Sequence, residues 1–378
     1  MRVAFVSNVV FPFVKGGAEK RIYEIGIRLV NRGHDVTVYG RHFWDGPKEI
    51  GYDGMTLRAT APEYDLYEGE RRSITEAIDF SARLVPTLRK HVDEHDLVVA
   101  SVFPYFPVLA AKLDTLGMDV PLAVTWHEVW GSYWEEYLGR LAPFGKSVEY
   151  VTANTPHYPI AVSSVTADRL TEIGPSRDEI EVVPNGIDLD QIESTRSADD
   201  EFDILYAGRL IENKHVDLLL EAFDRIAETN LDATLGIIGD GPEFDSLEYQ
   251  VQTLTHADQV TMLGFLEEYD DVLAHMRAAD VFASPSTREG FGITFAEAMA
   301  ADCTVIAADH PESAASEVID DAGFLVSPTV DDLADVLQRA LDGKRPETDP
   351  VARAQRYDWD TVAERAEQCY RRAIDGTW

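Results

Sequence analysis

Positive charge is what this chain of 378 residues has least of: 33 Lys and Arg stand against 68 Asp and Glu, a formal balance of −35, and only 8 of the 33 are lysine. Proteins that track a phosphate backbone present a net basic face, so this balance speaks against a general DNA- or RNA-binding role. A surface so acidic and so poor in lysine suits a protein that stays hydrated while molar salt screens its self-repulsion, and we expect a halophilic cytoplasm. Cysteine is nearly absent. Cys303 and Cys369 lie in apolar, helix- or strand-like surroundings, and a disulfide framework in a chain this long would use more of them. Both are expected to be free, buried thiols. The opening MRVAFVSNVVFPF lacks a sustained apolar region with a small-residue cleavage site, and no later window reaches about 18 unbroken apolar residues. The expected setting is the cytoplasm, with a place at the inner face of the cell membrane left open.

Apolar material is plentiful: 45% of the residues are hydrophobic and 10% aromatic. At roughly 100 to 200 residues per domain, two domains are expected. Short β-branched runs alternate with helical-period segments, as in buried parallel sheets. Val3 to Ser7, Val36 to Tyr39, Leu97 to Ala100, Leu122 to Thr125 and Ile160 to Val162 read as strands, with helices from Glu19 to Asn31 and from Ser73 to His91, the latter interrupted by Pro86. After a polar stretch from Asp188 to Asp200 the pattern restarts with Ile204 to Ala207, Thr234 to Ile238, Val260 to Leu263, Val281 to Ala283, Val305 to Ala307 and Phe324 to Val326. The expected fold is therefore α/β, two Rossmann-like, doubly wound parallel-sheet domains, with ligands at the carboxyl ends of the strands and a site between the domains. The tail from Tyr357 to Trp378, a helical pattern with Trp359, Tyr370 and Trp378, is too small for a domain and is expected to pack back on one of the two.

Charge is uneven along the chain. Residues 1 to 95 hold 14 basic and 14 acidic side chains, so the rest carries the whole excess of −35. Two readings stand: this region supplies contact surface, or it faces an anionic lipid headgroup or phosphorylated acceptor.

Four stretches carry candidate chemistry. Gly16-Gly17-Ala18-Glu19 follows the first strand and opens a helix, where unpaired backbone N–H groups and the dipole favour an anion. Gly208-Arg209-Leu210 follows the first strand of the second series, with Lys214 at the next helix start. An arginine fork and a lysine point charge placed so can grip a diphosphate; the alternative is a surface salt bridge of these cations with Glu212 or Asp217. The run Thr287 to Met299, holding Gly290, Gly292, Glu289 and Glu297, frees N–H groups for a phosphate, and its carboxylates suit sugar hydroxyls or plain dipole complementarity. His127 follows the Leu122 to Thr125 run, at a cleft edge where it can donate to a sugar hydroxyl or serve as a structural histidine.

Other motifs fail. Gly239-Asp240-Gly241-Pro242 lacks the third glycine of a dinucleotide fingerprint, and no G-x-x-x-x-G-K-[ST] or G-x-S-x-G occurs. Asp188-Leu189-Asp190 and Asp358-Trp359-Asp360 are pairs that chance supplies in so acidic a chain, and no histidines have metal-ligand spacing. No metal site is expected.

Taken in order, Gly16-Gly17-Ala18-Glu19, His127-Glu128, Val183-Pro184-Asn185-Gly186-Ile187-Asp188, Gly208-Arg209-Leu210 with Lys214, Gly239-Asp240-Gly241-Pro242, Leu263-Gly264-Phe265 and the Glu289-x7-Glu297 stretch resemble the retaining glycosyltransferases of family 4, which have the GT-B fold. The likeness covers essentially the whole chain. It implies an acceptor-binding domain at 1–187, joined by a C-terminal helix 358–378 that packs back, and a nucleotide-sugar domain at 188–357. It implies that Gly16, Gly17, Arg209, Lys214 and the N–H groups of Phe291, Gly292 and Ile293 hold the donor diphosphate, that Glu297 binds the ribose, and that the Gly264-Phe265 backbone meets the base. Glu289 would contact the donor sugar and His127 would lie beside the reacting carbon. The implied reaction moves a hexosyl group from a nucleoside diphosphate sugar to a saccharide or lipid-linked acceptor, with retention, without metal or other cofactor, and with possible peripheral membrane contact through the first domain. Here Arg209 and Lys214 would neutralise the departing diphosphate.

Two positions depart from the family pattern: His215 stands where a glycine follows the lysine, and Ala301-Asp302-Cys303-Thr304 replaces a Cys or Ser, Gly and Thr-Pro. Two other functions remain open, a sugar-nucleotide 2-epimerase on the same scaffold and a non-catalytic nucleotide-sugar binding subunit. The aromatic and basic residues of the expected loops from Arg41 to Arg72, namely Phe43, Trp44, Tyr64, Tyr67, Arg71 and Arg72, together with Trp130, Tyr133 and Trp134, look suited to stack an acceptor sugar.

Overall fold

Strands whose every residue is buried and mostly apolar are central strands covered on both faces, and the chain forms two sheets around strands of this kind. The computed structural model describes residues 1–68 and 71–378, and the side chains of Tyr67, Glu68, Arg71 and Arg72 lie outside the described ones. The chain divides into a first unit, Met1–Asn185 with Trp359–Trp378, and a second, Gly186–Asp358. The polar stretch read as a connection contains a helix, Leu189–Ser194, capped by the Asp188 carboxylate, which accepts from the Gln191 amide.

The first unit's strands are β1 (Arg2–Val6), β2 (Asp35–His42), β3 (Glu49–Tyr52), β4 (Met55–Pro62), β5 (Tyr67–Glu68), β6 (Arg71–Arg72), β7 (Leu97–Ser101), β8 (Leu122–Trp126), β9 (Tyr158–Ala161) and β10 (Glu181–Val182). Eight form one sheet in the order β10-β9-β8-β7-β1-β2-β4-β3, while β5 and β6 pair separately. All neighbours in the large sheet are parallel except β3 and β4. The strand order reverses between β1 and β7, the point at which such sheets open a crevice.

The second unit holds β11 (Ile204–Ala207), β12 (Leu235–Ile238), β13 (Val260–Gly264), β14 (Val281–Ser284), β15 (Thr304–Ala308) and β16 (Gly323–Val326). They lie in the order β13-β12-β11-β14-β15-β16, all parallel. This is the doubly wound arrangement, with its switch point between β11 and β14.

Three expectations are corrected. Pro86 does not interrupt its helix, which runs unbroken from Ile74 to His91. Proline removes one amide and crowds the carbonyl four residues back, but Pro86 and Ala82 are both on the exposed face, where water is at hand, while Phe80, Leu84 and Leu88 bury the other face on both sides of the proline.

The segment from Arg41 to Arg72 is not all loop, because β3 and β4 form a hairpin closed by Asp53-Gly54, both with positive φ. Asp-Gly is the residue pair that a two-residue turn of this hand favours.

Finally, Trp44 and Trp134 are not stacking surfaces. Both are buried, and Trp44 Nε1 donates to the Pro47 carbonyl. An indole this large is stabilised more by core burial than by waiting for a ligand. Trp130 and Tyr133 stay half-buried beside Trp134, in an aromatic group that also includes Phe103 and Tyr137.

The helix Trp359–Asp375 packs against the helix Gly17–Asn31 and completes a core made of Phe5, Ile25, Leu29, Trp359, Val362 and Tyr370, among others. Arg28 pairs with Asp360, and Arg32 and His34 pair with Glu367. Several cations of residues 1 to 95 are thus held in internal pairs; Arg41, fully buried, pairs with Glu76. Cys303 and Cys369 are free and buried.

Candidate functional site

In the second unit, the segments leaving β11 and β14 meet at the switch point. Lys214 Nζ lies 2.5 Å from Glu289 Oε1, and both side chains are mostly buried, at 17% and 13% exposure. Lys214 therefore pairs across the switch point rather than with Glu212 or Asp217. The two loops are also knitted by backbone. The Thr287 amide donates to the Asn213 carbonyl at 3.0 Å, and Glu289 is held to the 312–314 segment by two backbone bonds. Arg209 is exposed, and its guanidinium has no partner among the described residues. Its carbonyl accepts from the buried Tyr206 hydroxyl at 3.2 Å, which fixes the turn that carries it.

The helix Ile293–Ala300 begins at Gly292, whose φ of 83° is left-handed, without a side-chain cap or an acidic residue in its first turn. Among the described residues the amides of Phe291, Gly292 and Ile293 find no acceptor. These are the unpaired donors at the positive end of a helix dipole. Glu297, one turn into that helix, is buried and accepts from the Tyr269 hydroxyl at 2.5 Å. Burial, with the charge of Glu297, holds the Tyr269 phenol far above its usual titration range. The two glutamates of the E-x7-E stretch thus have different partners. Beyond β13, the Gly264 carbonyl accepts from the Gly239 amide at 2.8 Å, and Phe265 is 71% exposed.

In the first unit, Gly16 is extended (φ −170°) and heads the helix Gly17–Asn31, again without a side-chain cap. The Glu19 carboxylate folds back over it, so that a Cβ on Gly16 would meet Glu19 Oε2 at 2.3 Å. His127 follows β8 directly. Its Nε2 is buried without a hydrogen-bond partner among the described residues, and burial, aided by the charge of Arg21, pushes the imidazole down to about 3. The ring is neutral at any ordinary pH.

Sequence reasoning missed two residues here. Arg21 is buried and donates to the carbonyls of Val183 and Pro184 and to Asn185 Oδ1. It thereby ties the first helix to the Val183-Pro184-Asn185 stretch, and burial lowers its guanidinium to about 10. Glu149 is buried and accepts from the Tyr105 hydroxyl, the amides of Trp130 and Gly131, and Trp134 Nε1, at 2.7 to 3.1 Å. It anchors the loop that leaves His127. Both residues sit inside the apolar stripe of their helices, with Ile22, Ile25 and Leu29 in one case and Ala142, Gly145 and Ala153 in the other. A charge inside such a stripe was the available signal.

The two departures from the family pattern are both left-handed: His215 has φ 50° and Asp302 φ 68°. Histidine and aspartate tolerate this region better than most side chains. Asp302 is further secured by Arg345, which pairs with its carboxylate and donates to its carbonyl at 2.9 Å. Among the described residues no group of three or more His, Cys, Asp or Glu gathers in metal-binding geometry, and no helix is long and apolar enough to cross a membrane.

Comparison with known proteins decides the family. The model of the family "Glycosyltransferase Family 4" matches residues 15–191, and that of "Glycosyl transferases group 1" matches residues 188–357. The chain is a family 4-like glycosyltransferase. Among curated relatives, this transferase is 29% identical to the GDP-mannose-dependent alpha-(1-6)-phosphatidylinositol monomannoside mannosyltransferase of Mycobacterium tuberculosis, over 96% of each chain. It is 27% identical to the gpi3 subunit of the phosphatidylinositol N-acetylglucosaminyltransferase of Schizosaccharomyces pombe, over 97% of this chain and 79% of that one. In fold the transferase is similar to the sucrose-phosphate synthase of Thermosynechococcus elongatus, with a TM-score of 0.80, 19% identity and 99% of both chains covered. It is similar also to Anabaena HepE solved with UDP and glucose, with a TM-score of 0.71, 21% identity, and 97% of this chain and 98% of that one covered. Its two parallel-sheet domains are those of the GT-B fold, and it is a hexosyltransferase.

Proposed function

We propose that the enzyme moves a hexosyl group from a nucleoside diphosphate sugar to a saccharide or lipid-linked acceptor, with retention and without a metal. The observation that carries this reading is the arrangement at the switch point of the second unit. Two cations, Arg209 and Lys214, follow β11, while an uncapped helix start with free amides at Phe291, Gly292 and Ile293 follows β14. Donors preorganised in this way stabilise charge as it develops on a leaving diphosphate. In this reading the C1–O bond to the β-phosphate breaks as the acceptor oxygen bonds C1 on the same face, and the acceptor proton passes to the departing phosphate oxygen. Glu289 holds hydroxyls of the donor sugar, Glu297 the ribose, and the Gly264-Phe265 backbone the base. In the first unit, Gly16 and Gly17 approach the diphosphate as the Glu19 carboxylate swings away from Gly16, and His127, kept neutral, donates to the reacting sugar.

A lipid-linked acceptor is favoured by the names of two relatives, both of which act on phosphatidylinositol lipids. Peripheral contact with a membrane through the first unit and a halophilic cytoplasm belong to the same reading.

The test is a thermal-shift screen in molar KCl with EDTA, using UDP-, GDP- and ADP-sugars and the free diphosphates, since a ligand specific to the native state raises the melting point. A shift with one base family names the donor and supports metal-free binding. The absence of a shift with every nucleotide, in folded protein, would overturn the donor assignment. Turnover by the purified chain rules out a binding subunit, and the anomeric configuration of the product, read by NMR, decides retention.

A further inference from the structure

Among the described residues, four other than glycine have positive φ: Asp53, His215, Asp302 and Asp320. Each has a side-chain partner. Asp53 accepts from the Tyr23 hydroxyl, and Asp302 and Asp320 pair with Arg345 and Arg353. His215 differs in residue type and in place, because it follows Lys214 directly and heads the helix Val216–Ala227 in left-handed conformation, φ 50° and ψ 40°. Its Nε2 lies 3.1 Å from Thr287 Oγ1, two residues before Glu289. Thr287 Oγ1 in turn lies 3.4 Å from the Asn213 carbonyl, which also receives the Thr287 amide. A hydroxyl that donates to Asn213 is free to accept from a ring N–H, so the imidazole is the donor in this chain of bonds.

We propose that His215 is a positioning residue for the donor site: its ring clamps the turn that carries Lys214 to the loop that carries Glu289, and the left-handed backbone is tolerated for that clamp. Backbone in this region costs a side chain that glycine would not spend, and such costs persist where function requires the geometry. The clamp acts on an ion pair that joins the two loops, that of Lys214 with Glu289. This inference rests on the donor reading above and adds a residue to it.

The test uses the full chain and three variants, His215→Gly, Thr287→Val and the double variant, with melting temperature and donor kinetics measured in the same buffer. Glycine suits the backbone at 215, so His215→Gly is expected to melt no lower than the native protein. It is nevertheless expected to lose about 2- to 10-fold in kcat/KM for the donor, as befits one hydrogen bond, with the acceptor KM unchanged. Thr287→Val leaves the amide bond to Asn213 in place and should lose a similar factor, with the double variant no worse than either single one. Unchanged donor kinetics in His215→Gly overturns the proposal. So does additivity of the two changes, which would mean that the ring acts elsewhere than through Thr287. A wild-type chain that binds no nucleotide would instead bring down the donor reading itself, a distinct result.

Discussion

Two helices in this transferase start on glycine beyond a central strand, and they offer an anion different receptions. The helix Gly17–Asn31 carries its own anion, because the Glu19 carboxylate folds over Gly16. The helix Ile293–Ala300 has no acidic residue in its first turn, and its leading amides have no acceptor among the described residues. The backbones differ too, extended at Gly16 and left-handed at Gly292. The same cue in sequence, glycine ahead of a helix, therefore yields one start that already holds a carboxylate and one that is open to a ligand's phosphate.

The substitution that separates the two most sharply is alanine at each glycine. At Gly292 a Cβ would stand 2.5 Å from the Phe295 ring at φ 83°, so Gly292→Ala is expected to cost about 2 to 4 kcal/mol of stability and to abolish the nucleotide-dependent melting shift. At Gly16 the new Cβ meets only the mobile end of Glu19, and the extended backbone accepts any residue, so Gly16→Ala should cost less than about 1 kcal/mol. Equal losses in a denaturant titration would break the comparison.

Next in size, Lys214→Ala should lower donor affinity or turnover about 10- to 150-fold, the worth of a charge-assisted contact of roughly 1.5 to 3 kcal/mol. The companion change Glu289→Gln should lower turnover while binding of the free nucleoside diphosphate survives. If both variants lose that binding equally, Glu289 is structural.

A smaller effect is expected at Tyr269, whose hydroxyl orients Glu297. Tyr269→Phe should weaken ribonucleotide binding by about 2- to 10-fold while leaving the affinity for a 2′-deoxy analogue unchanged. Equal weakening of both would detach the tyrosine from ribose recognition.

The effect that is smallest at neutral pH lies in the first unit. His127 titrates at about 3 in the folded chain against 6.5 for a free imidazole, so the unfolded state binds the proton more readily. The stability this neutral ring contributes is complete above pH 6.5 and is lost as pH falls from 6.5 towards 3. His127→Gln should flatten that part of the curve, and in the native protein the His127 ring resonances should show no titration between pH 8 and 5.

Much of the architecture was legible because the buried parallel strands are runs of Val, Ile, Leu and Ala that no other element explains. In the second unit Ile204–Ala207 has the expected ends, and the other strands differ by a residue or so. The hairpin of β3 and β4 was missed even though Asp53-Gly54 announces it, because β4 has one solvent-facing side and alternates instead of running apolar throughout. Pro86 misled because a proline rule speaks of the backbone, whereas the buried Phe80, Leu84 and Leu88 decide whether the helix continues. At the site, strand ends and glycines could be placed from sequence, but partners could not. That Lys214 faces Glu289 rather than Glu212, or that Arg21 reaches Val183, depends on which strands are neighbours, and neighbours are a property of topology. Arg21 and Glu149 were visible only as charges where a helix stripe calls for apolar residues.

The first sheet is sealed by a helix that follows the whole second unit in the chain. The helix Trp359–Asp375 covers Phe5, Ile25 and Leu29 with Trp359, Val362 and Tyr370, and every strand of the second unit precedes it in the chain. During synthesis, β11 to β16 have therefore all emerged and can close their own core while that face of the first sheet is still wet. The usual order, in which the amino-terminal domain settles first, is reversed here for the final step. A nascent chain stalled after Asp358 would expose an apolar surface on its first unit, the kind of surface to which a chaperone binds.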